Sequence, residues 1–200
     1  NTVGAGGGSI AWVDEGDVLH VGPESAGADP GPICYGKGGT EPTITDANLL
    51  LGRINPDNFL SGEMDLRIEK TRELFQDRIA DPLGQSVEEA ALAVVAVANA
   101  SIARRVHNVT VERGDDPADF ALVGFGGAGP LQTPAVADRM DMETVLIPRS
   151  PGVFSARGIL MADVRIDESR AYGAQEIQAD RVESILDELS SDVCDRLDEQ

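Results

Sequence analysis

Apolar and polar residues alternate along the chain in patterns that predict both strands and helices. Residues 10–14 and 18–21 are short apolar-rich stretches around a Gly-containing turn, which is typical of a β-hairpin. Residues 87–106 contain the run AALAVVAVANASIA, which is apolar on nearly every side and predicts a buried helix. Ser86 and Glu89 have the S-x-x-E spacing of a capping box, and this spacing marks the first turn of that helix.

The shorter patterns along the rest of the chain also alternate between strands and helices. Strands are predicted at residues 120–125 and 144–148 and, as an edge strand, at residues 164–172. Helices are predicted at residues 69–79, 132–140, 151–161 and 179–199, and residues 43–51 fit either a strand or a short helix. Residues 22–42 are dense in Gly and Pro and predict a long loop, which in a compact domain is usually functional or disordered. This order of strands and helices predicts the α/β class.

A glycine-rich turn directly precedes the predicted hairpin. Its candidate ligand-binding residues are Gly4, Gly6, Gly7, Gly8 and Ser9. Glycine permits positive φ, and successive backbone N–H groups in such a turn form a nest that binds anions. The Ser9 hydroxyl is a further candidate contact for a phosphate or a metal. A plain turn without any ligand remains the alternative for a run of this kind.

A second glycine-rich turn follows the strand predicted at residues 120–125 and precedes a predicted helix. Its candidate residues are Gly124, Gly126, Gly127, Ala128, Gly129 and Pro130. Ligands of open α/β sheets bind at the carboxyl ends of strands, and helix N-termini favour anions. The turn is not a dinucleotide fingerprint, because a long helix precedes its strand and no convincing acidic residue follows about 20 residues later. It is not a Walker loop either, since no G-K-[S/T] follows.

The charge of the chain excludes two classes of partner. There are 35 acidic residues against 16 basic ones, which gives a net charge of −19, and Lys37 and Lys70 are the only lysines. Nucleic acids and anionic membranes require a basic surface, so neither is expected as a partner. A solvated acidic face, a divalent-metal protein and adaptation to a high-salt cytoplasm all account for the acidity. We favour adaptation to high salt, the halophilic hypothesis, because the acidic residues are spread along the whole chain and lysine is almost absent.

Two further groups of residues are candidates for chemistry. Asp29 and Asp46 lie in or beside the Gly/Pro-rich loop and are candidate Mg²⁺ ligands, with loop capping as the alternative role of each. Cys34 and Cys194 form no CxxC pair, and their spacing is typical of reduced thiols in a cytosolic protein. The chain shows no signal peptide and no apolar run as long as a membrane span, so we expect a cytoplasmic location.

Three long segments of the chain resemble one known family. The segments are TVGAGGGSIAWVDEGDVLHVGPESAGADPGPICYGKGGTEPTITDANLLLGRINPDNFL, VERGDDPADFALVGFGGAGPL and PRSPGVFSARGILMADVR. In this order they resemble the hydantoinase A/oxoprolinase family over roughly residues 1–170. The resemblance implies that residues 1–170 are the C-terminal, nucleotide-binding half of the family domain. Residues 171–200 are then an amphipathic helical extension, which packs on this half or leads to the next domain.

The resemblance also implies a fold and a cofactor. The order of hairpin, helix, strand, glycine turn and helix resembles half of an actin-like ATPase (ribonuclease H-like) fold, with a mixed sheet and flanking helices. In that fold the first glycine turn holds phosphates and the second holds adenosine, so ATP with Mg²⁺ is the expected cofactor. The family usually has His-Ala after Gly-Pro-Leu, whereas this chain has Gln132 and Thr133. This departure puts in doubt any role of that histidine here.

The activity that the resemblance implies is ATP-dependent hydrolysis of a cyclic amide, such as a hydantoin or 5-oxoproline, through phosphoryl activation of a carbonyl. Two alternatives stay open: a subunit of an acetone or acetophenone carboxylase, and a non-catalytic nucleotide-binding module. The expected partners are the small cyclic amide, the N-terminal half of the same polypeptide and a hydantoinase B-type subunit. No catalytic residue is assigned, because the family's other phosphate loop and catalytic acid lie in the N-terminal half. Residues 1–200 alone are therefore expected to be inactive.

Overall fold

A computed structural model describes residues 5–173 and 178–198 of the chain. The chain divides into two compact units, Asn1–Ser155 and Ala156–Gln200. The predicted α/β class is confirmed, since helices and strands alternate along the first unit. The boundary predicted near residue 170 is a different one: it marks the end of the family domain, and it stays a prediction.

The predicted hairpin is present. Strands β1 (Ser9–Val13) and β2 (Leu19–Ser25) pair antiparallel. Asp14 stabilises the turn between them, because its Oδ1 accepts the backbone N–H groups of Gly16 at 2.9 Å and Val18 at 3.0 Å. On the far side of β1, the N–H of Ala11 donates to the carbonyl of Pro42 at 2.8 Å, which attaches the hairpin to the end of the long loop.

Three short α-helices follow the long loop, and a 3₁₀-helical stretch (Pro56–Gly62) lies between the first two. The ambiguous stretch at residues 43–51 is a helix, α1 (Ile44–Leu50). Helix α2 (Ile68–Phe75) continues through a π-helical turn (Gln76–Ala80) into α3 (Asp81–Leu83). Gly84 ends this segment with a φ of 63°, a left-handed conformation that glycine adopts without strain.

Helix α4 (Val87–Val111) is the longest element and begins where the sequence predicts it. Its capping box is formed, because Ser86 Oγ accepts from the N–H of Glu89 at 3.3 Å and the Glu89 carboxylate accepts from the N–H of Ser86 at 2.9 Å. The helix extends five residues beyond the predicted end at residue 106. No single helix of the described residues is long and apolar enough to span a membrane. The helical segments Ile68–Leu83 and Val87–Val111 are together long and apolar enough for a membrane span, but they are bent by 80° relative to each other. Only length and composition support such a span.

The first half of α4 packs into the larger of two hydrophobic cores. This core joins the hairpin, α1, the α2–α3 segment and α4, and many of its residues are small. Its buried members are Ala11, Ile44, Ala47, Leu50, Phe75, Ile79, Ala80, Val87, Ala90, Ala91, Val94, Val95 and Ala98. The alanines allow the helices to approach closely, so the near absence of aromatic residues does not prevent dense packing.

The second half of α4 packs against a small β-α-β unit. Strand β3 (Ala121–Val123) and strand β4 (Thr144–Leu146) are parallel, and helix α5 (Gly129–Asp138) connects them. The second core lies under this unit and consists of Ala103, Val136, Ala137, Met140 and Met142. The described strands thus form two separate two-stranded sheets, one antiparallel and one parallel, where the sequence predicted one mixed sheet.

The C-terminal part of the chain contains two helices. Helix α6 (Phe154–Met161) lies in the predicted segment, and α7 is Ala179–Asp198. The edge strand predicted at residues 164–172 is wrong, because residues 163–173 are irregular and pair with no described strand. Arg170 in this stretch instead forms an ion pair with Glu188 of α7 at 2.6 Å. Within α7 the half-buried positions share one face, namely Val182, Ile185, Leu189 and Val193. Leu186 and Leu197, which the amphipathic pattern places on the same face, are exposed.

Candidate functional site

The two glycine turns line the same pocket. The pocket has a volume of about 290 Å³, and it is lined by Ala5 and Gly6 of the first turn and by Gly124, Ala128 and Gly129 of the second. Helix α4 and the β-α-β unit supply the other walls: Ile102, Arg105, Val106, Leu122, Val123, Phe125, Gln132, Thr133 and Val136. The structure therefore brings together two motifs that lie more than a hundred residues apart in the sequence. Gly4 lies outside the described residues.

Gly7 lies between Thr45 and Ala128 of the second turn. Its carbonyl accepts two hydrogen bonds from Thr45 at the start of α1, one from the backbone N–H and one from the hydroxyl, both at 2.9 Å. A Cβ at Gly7 would lie 2.6 Å from the Thr45 hydroxyl and 3.2 Å from Cβ of Ala128. Only a glycine fits between these neighbours, so the first turn is held against the second by packing that excludes a side chain.

Ser9 closes the first turn on itself. Its hydroxyl accepts from the N–H of Gly6 at 3.1 Å, and its own N–H donates to the carbonyl of Gly6 at 3.0 Å. The side chain is buried, and this position accounts for the serine as a turn residue. A contact between Ser9 and a phosphate or a metal stays a prediction. The backbone at Gly8 is also confined, since a Cβ there would lie 2.9 Å from the Ser25 hydroxyl.

The second turn follows β3 and leads into α5. Gly124 continues the parallel pairing, since its N–H donates to the carbonyl of Leu146 at 2.9 Å. A Cβ at Gly124 would overlap the hydroxyl of Thr133 and lie 2.8 Å from Cδ1 of Ile147. Gly126 has a φ of 83°, which glycine tolerates and other residues rarely adopt. Gly127 and Gly126 have open space where a Cβ would be, so this part of the turn is accessible to a ligand.

Helix α5 begins at the pocket. Gly129 and Pro130 form its first turn, where a proline loses no helical hydrogen bond. The Thr133 hydroxyl donates to the carbonyl of Gly129 at 2.8 Å, which braces this turn from inside the helix. The first backbone N–H groups of a helix lack acceptors within the helix, so this end of α5 can donate hydrogen bonds to a ligand.

Gln132 carries the strongest sign of a ligand in the pocket. The residue is 5% exposed and lines the pocket, and its Oε1 is buried without a donor among the described residues. A buried acceptor without a donor is rare in folded proteins, because its desolvation is not compensated. A bound molecule with an N–H or O–H group would supply that donor once the amide turns toward the pocket. Asn99 Oδ1, on α4 and outside the pocket lining, is also buried without a donor among the described residues. The sequence pattern marks Gln132 as a departure from the family, but it does not identify the residue as part of the site.

Arg105 is the one charged residue among the described residues that line the pocket. It lies on the second half of α4, within a largely apolar pattern that gives no indication of a site. The available signal in the sequence is the Arg104-Arg105 doublet directly after the apolar run at residues 90–103. A guanidinium beside two glycine turns favours a phosphate or a carboxylate.

Asp46 has a structural position. Its carboxylate is fully buried and accepts from the N–H of Ile33 at 3.2 Å, of Cys34 at 2.8 Å and of Thr43 at 2.9 Å, and from the Thr43 hydroxyl at 2.7 Å. Burial raises the pKa of Asp46, and the hydrogen bonds from Thr43 and Cys34 lower it in part. These contacts correspond to the capping alternative, and they leave Asp46 poorly suited to hold a cation.

The rest of the predicted metal site has little support in the observed geometry. Asp29 is exposed in the long loop. In the part of the chain that the structure describes, no group of three or more His, Cys, Asp or Glu side chains is arranged to hold a metal ion. The Mg²⁺ role of Asp29 and Asp46 therefore stays a prediction.

Cys34 lies beside Asp46 and is not activated. Burial raises the pKa of its thiol, and the Asp46 carboxylate raises it further. The thiol is therefore protonated at neutral pH, whereas a cysteine nucleophile must be ionised. Cys34 and the exposed Cys194 are both free cysteines.

Comparison with known proteins identifies the family. The Hydantoinase/oxoprolinase family model matches residues 1–168, and the chain therefore belongs to the hydantoinase/oxoprolinase family. An uncharacterised protein of Methanocaldococcus jannaschii is 49% identical over 94% of this chain. The caprolactamase subunit alpha of Pseudomonas jessenii is 46% identical over 84% of the chain.

Solved structures agree with this assignment. The crystal structure of the ATP-dependent caprolactamase from Pseudomonas jessenii superimposes with a TM-score of 0.74 at 45% identity, over 82% of this chain and 24% of that one. A nucleotide-free acetone carboxylase superimposes with a TM-score of 0.76 at 35% identity, over 82% of this chain and 23% of that one. The chain spans only 28% of the Methanocaldococcus protein and 24% of the caprolactamase subunit.

Proposed function

We propose that this chain is the nucleotide-binding half of an ATP-dependent enzyme that opens a cyclic amide of the hydantoin or 5-oxoproline type. The observation that carries this proposal is the pocket between the two glycine turns, with the unpartnered Gln132 Oε1 in its wall. Family membership agrees with it, because one structural neighbour is an ATP-dependent caprolactamase.

The lining of the pocket is suited to an adenosine. Ile102, Val106, Leu122 and Val136 form apolar walls on which a planar base packs. A glutamine amide matches adenine well, because its carbonyl accepts from the N6 amine while its NH₂ group donates to a ring nitrogen. We therefore assign the base to the Gln132 side of the pocket, next to the turn at residues 124–130.

The phosphates are assigned to the opposite side, at the first glycine turn. The guanidinium of Arg105 would offset their charge. Mg²⁺ would accompany the phosphates, as it usually does in such sites, with ligands that the described residues do not identify.

The chemistry assigned to this chain is positioning. ATP, when bound, supplies a terminal phosphoryl group that activates the amide carbonyl. The two turns fix the nucleotide on a rigid base formed by α4 and α5, and the apolar walls exclude water from the adenosine. Catalysis of phosphoryl transfer depends mainly on such positioning and on charge stabilisation. We assign the catalytic acid and the second phosphate loop to the N-terminal half of the polypeptide, and later steps to a hydantoinase B-type subunit in the cytoplasm.

A carboxylase is the second candidate. It is favoured by the similarity to acetone carboxylase, which extends over 82% of this chain. The same nucleotide pocket would serve a carbonyl that is activated for carboxylation rather than for hydrolysis. A non-catalytic nucleotide-binding module is the third candidate.

ADP titration of the full-length protein tests the proposal at the pocket. We expect wild-type protein to bind ADP and Gln132→Leu to bind it about 5- to 30-fold more weakly, because one buried hydrogen bond is lost. Gln85→Leu is the matched control, since Gln85 is exposed next to the start of α4. Absence of ADP binding by wild-type protein, or equal losses in both variants, would contradict the assignment.

ATP hydrolysis with a substrate panel separates the three candidates. The hydrolase predicts ATP turnover that depends on hydantoin, N-methylhydantoin, 5-oxoproline or caprolactam. The carboxylase predicts turnover that depends on acetone or acetophenone together with bicarbonate. A protein that binds ADP but turns over ATP with none of these compounds supports the non-catalytic module.

A further inference from the structure

A second cavity lies beside the nucleotide pocket, between the hairpin and α4. Its volume is about 730 Å³, and Ala5 and Arg105 line both spaces. The polar side chains around it come from β1, β2 and α4: Ser9, His20, Ser101, Arg104, Arg105 and Asn108. Among the described residues, no acidic side chain lines this cavity, although the chain carries 35 acidic residues.

The two arginines of this cavity lack counter-ions within the described chain. Among the 12 other arginines of the chain, ion pairs with carboxylates are seen for five: Arg72, Arg78, Arg165, Arg170 and Arg196. No carboxylate of the described residues lies within 4.0 Å of a nitrogen of Arg104 or Arg105. Both arginines are exposed, and Arg104 also lines a smaller neighbouring cavity with Asp116 and Asp141. The cavity between the hairpin and α4 is lined by no described carboxylate, and in a chain with a net charge of −19 this makes it suited to an anion.

The cavity's third basic group already has a partner. His20 Nε2 lies 2.7 Å from Asp14 Oδ2, and the Trp12 ring stacks on the imidazole with 4.4 Å between ring centroids. The pKa of Asp14 is lowered, chiefly by its hydrogen bond to His20. The positive charge that an anion would meet therefore comes from Arg104 and Arg105. Ser101 and Asn108 add uncharged hydrogen-bonding groups from the same helix.

The chemistry of these groups selects a class of ligand. A guanidinium offers two parallel N–H groups, which match the two oxygens of a carboxylate. We propose that this cavity binds a carboxylate-type oxyanion, next to the terminal phosphates of the nucleotide. This inference rests on the proposed function, and it narrows the substrate class. For a hydrolase, the anion is the carboxylate of a cyclic amide such as 5-oxoproline; for a carboxylase, it is bicarbonate.

A matched pair of lactams tests the inference in the full-length protein with ADP present. 5-Oxoproline and 2-pyrrolidinone have the same five-membered ring, and only the first carries a carboxylate. We expect calorimetry to show that 5-oxoproline binds more tightly than 2-pyrrolidinone, or else that bicarbonate binds. The first result indicates the substrate of a hydrolase, and the second indicates the co-substrate of a carboxylase. The Arg104→Gln/Arg105→Gln variant should weaken anion binding roughly 10- to 100-fold, the size typical of a hydrogen-bonded charge.

Three further measurements show whether the two arginines bind the anion directly. Arg113→Gln, which removes an exposed arginine just beyond α4, should leave the anion affinity unchanged. Arg104→Gln alone should weaken anion binding but leave ADP binding intact, because Arg104 does not line the nucleotide pocket. Binding of 2-pyrrolidinone should be the same in wild type and variants, because this probe has no charge.

Two results would overturn the inference. One is wild-type protein that binds ADP but binds neither 5-oxoproline nor bicarbonate. In that case, a lower melting temperature of the Arg104→Gln/Arg105→Gln variant would show that another part of the polypeptide pairs with the arginines. The other is an equal loss of 5-oxoproline and 2-pyrrolidinone binding in the variants. Anion binding without ADP binding would refute the proposed function but leave the anion site in place.

Discussion

Asp46 shows how one side chain at the residue scale fixes the backbone around the site. Its carboxylate joins the loop at Ile33 and Cys34 to the start of α1 at Thr43, and all of these groups are buried. Thr45, one residue before Asp46, in turn holds the carbonyl of Gly7. Asp46 therefore supports the first glycine turn through the start of α1.

Asp46→Asn should destabilise the protein. An amide replaces one carboxylate oxygen with an NH₂ group, which then faces backbone N–H donors instead of accepting from them. We expect the free energy of unfolding to fall by about 2–3 kcal/mol, as for a lost buried hydrogen bond to a charged acceptor. Urea denaturation of the two variants measures it, with Asp57→Asn as control because Asp57 is exposed. Equal stability of the two variants would rule out this role.

Some site residues are identifiable from the sequence and others are not. The glycines are, because a run of them before a hairpin or after a strand indicates a backbone that side chains would obstruct. Gln132 and Arg105 are not, because their importance depends on burial and on which elements surround them. The capping role of Asp46, which is the alternative to its predicted Mg²⁺ role, is identifiable from the sequence, because Thr43 and Asp46 have the T-x-x-D spacing of a capping box.

At the scale of elements, the two turns depend on glycine for different reasons. Gly7 and Gly124 are confined by neighbours, whereas Gly127 has open space around it. The confined positions therefore determine how closely the turns pack, whereas Gly127 is exposed and does not line the pocket.

Gly124→Ala and Gly127→Ala should separate these roles. At Gly124 the new Cβ overlaps the Thr133 hydroxyl, which itself bonds the first turn of α5. We expect a loss of stability of about 1–3 kcal/mol from overpacking, together with weaker ADP binding. Gly127→Ala should retain wild-type stability within about 0.5 kcal/mol, as exposed substitutions usually do. Thermal melts and ADP titration measure both effects, and equal melting temperatures would show that Gly124 is not confined by its neighbours.

The elements themselves were predictable where local signals were strong. The capping box placed the start of α4, and the Gly-containing turn placed the hairpin. Residues 43–51 were ambiguous because their apolar run fits both periods, and tertiary burial of α1 decided for a helix. The strand predicted at 164–172 failed because alternation alone supplies no partner strand.

At the scale of the whole molecule, charge is the dominant feature. Each of 35 acidic residues repels the others, and only 16 basic residues offset them. Several ion pairs, such as Arg72–Glu88 at 2.7 Å, lie at the surface, where each contributes little. Salt screens the remaining repulsion, which is why we propose a high-salt cytoplasm.

The melting temperature should therefore rise with KCl. Between 0.1 M and 1 M the screening length falls from about 10 Å to about 3 Å. A gain of about 2–3 kcal/mol in unfolding free energy corresponds to about 5–10 °C for a chain of this size. Sucrose at the same osmolality is the control, because it stabilises without screening charge. A melting temperature that is independent of KCl, or an equal rise in sucrose, would eliminate the halophilic proposal.

The single helix α4 has a consequence for how the first unit unfolds. Its 25 residues, roughly 37 Å long, contribute Val94 and Ala98 to one core and Ala103 to the other. Loss of packing in either core exposes part of the same helix, so we expect the hairpin side and the β-α-β side to unfold in one cooperative transition. We therefore expect both glycine turns to fold and unfold together, with no stable intermediate in which one turn is folded and the other is not.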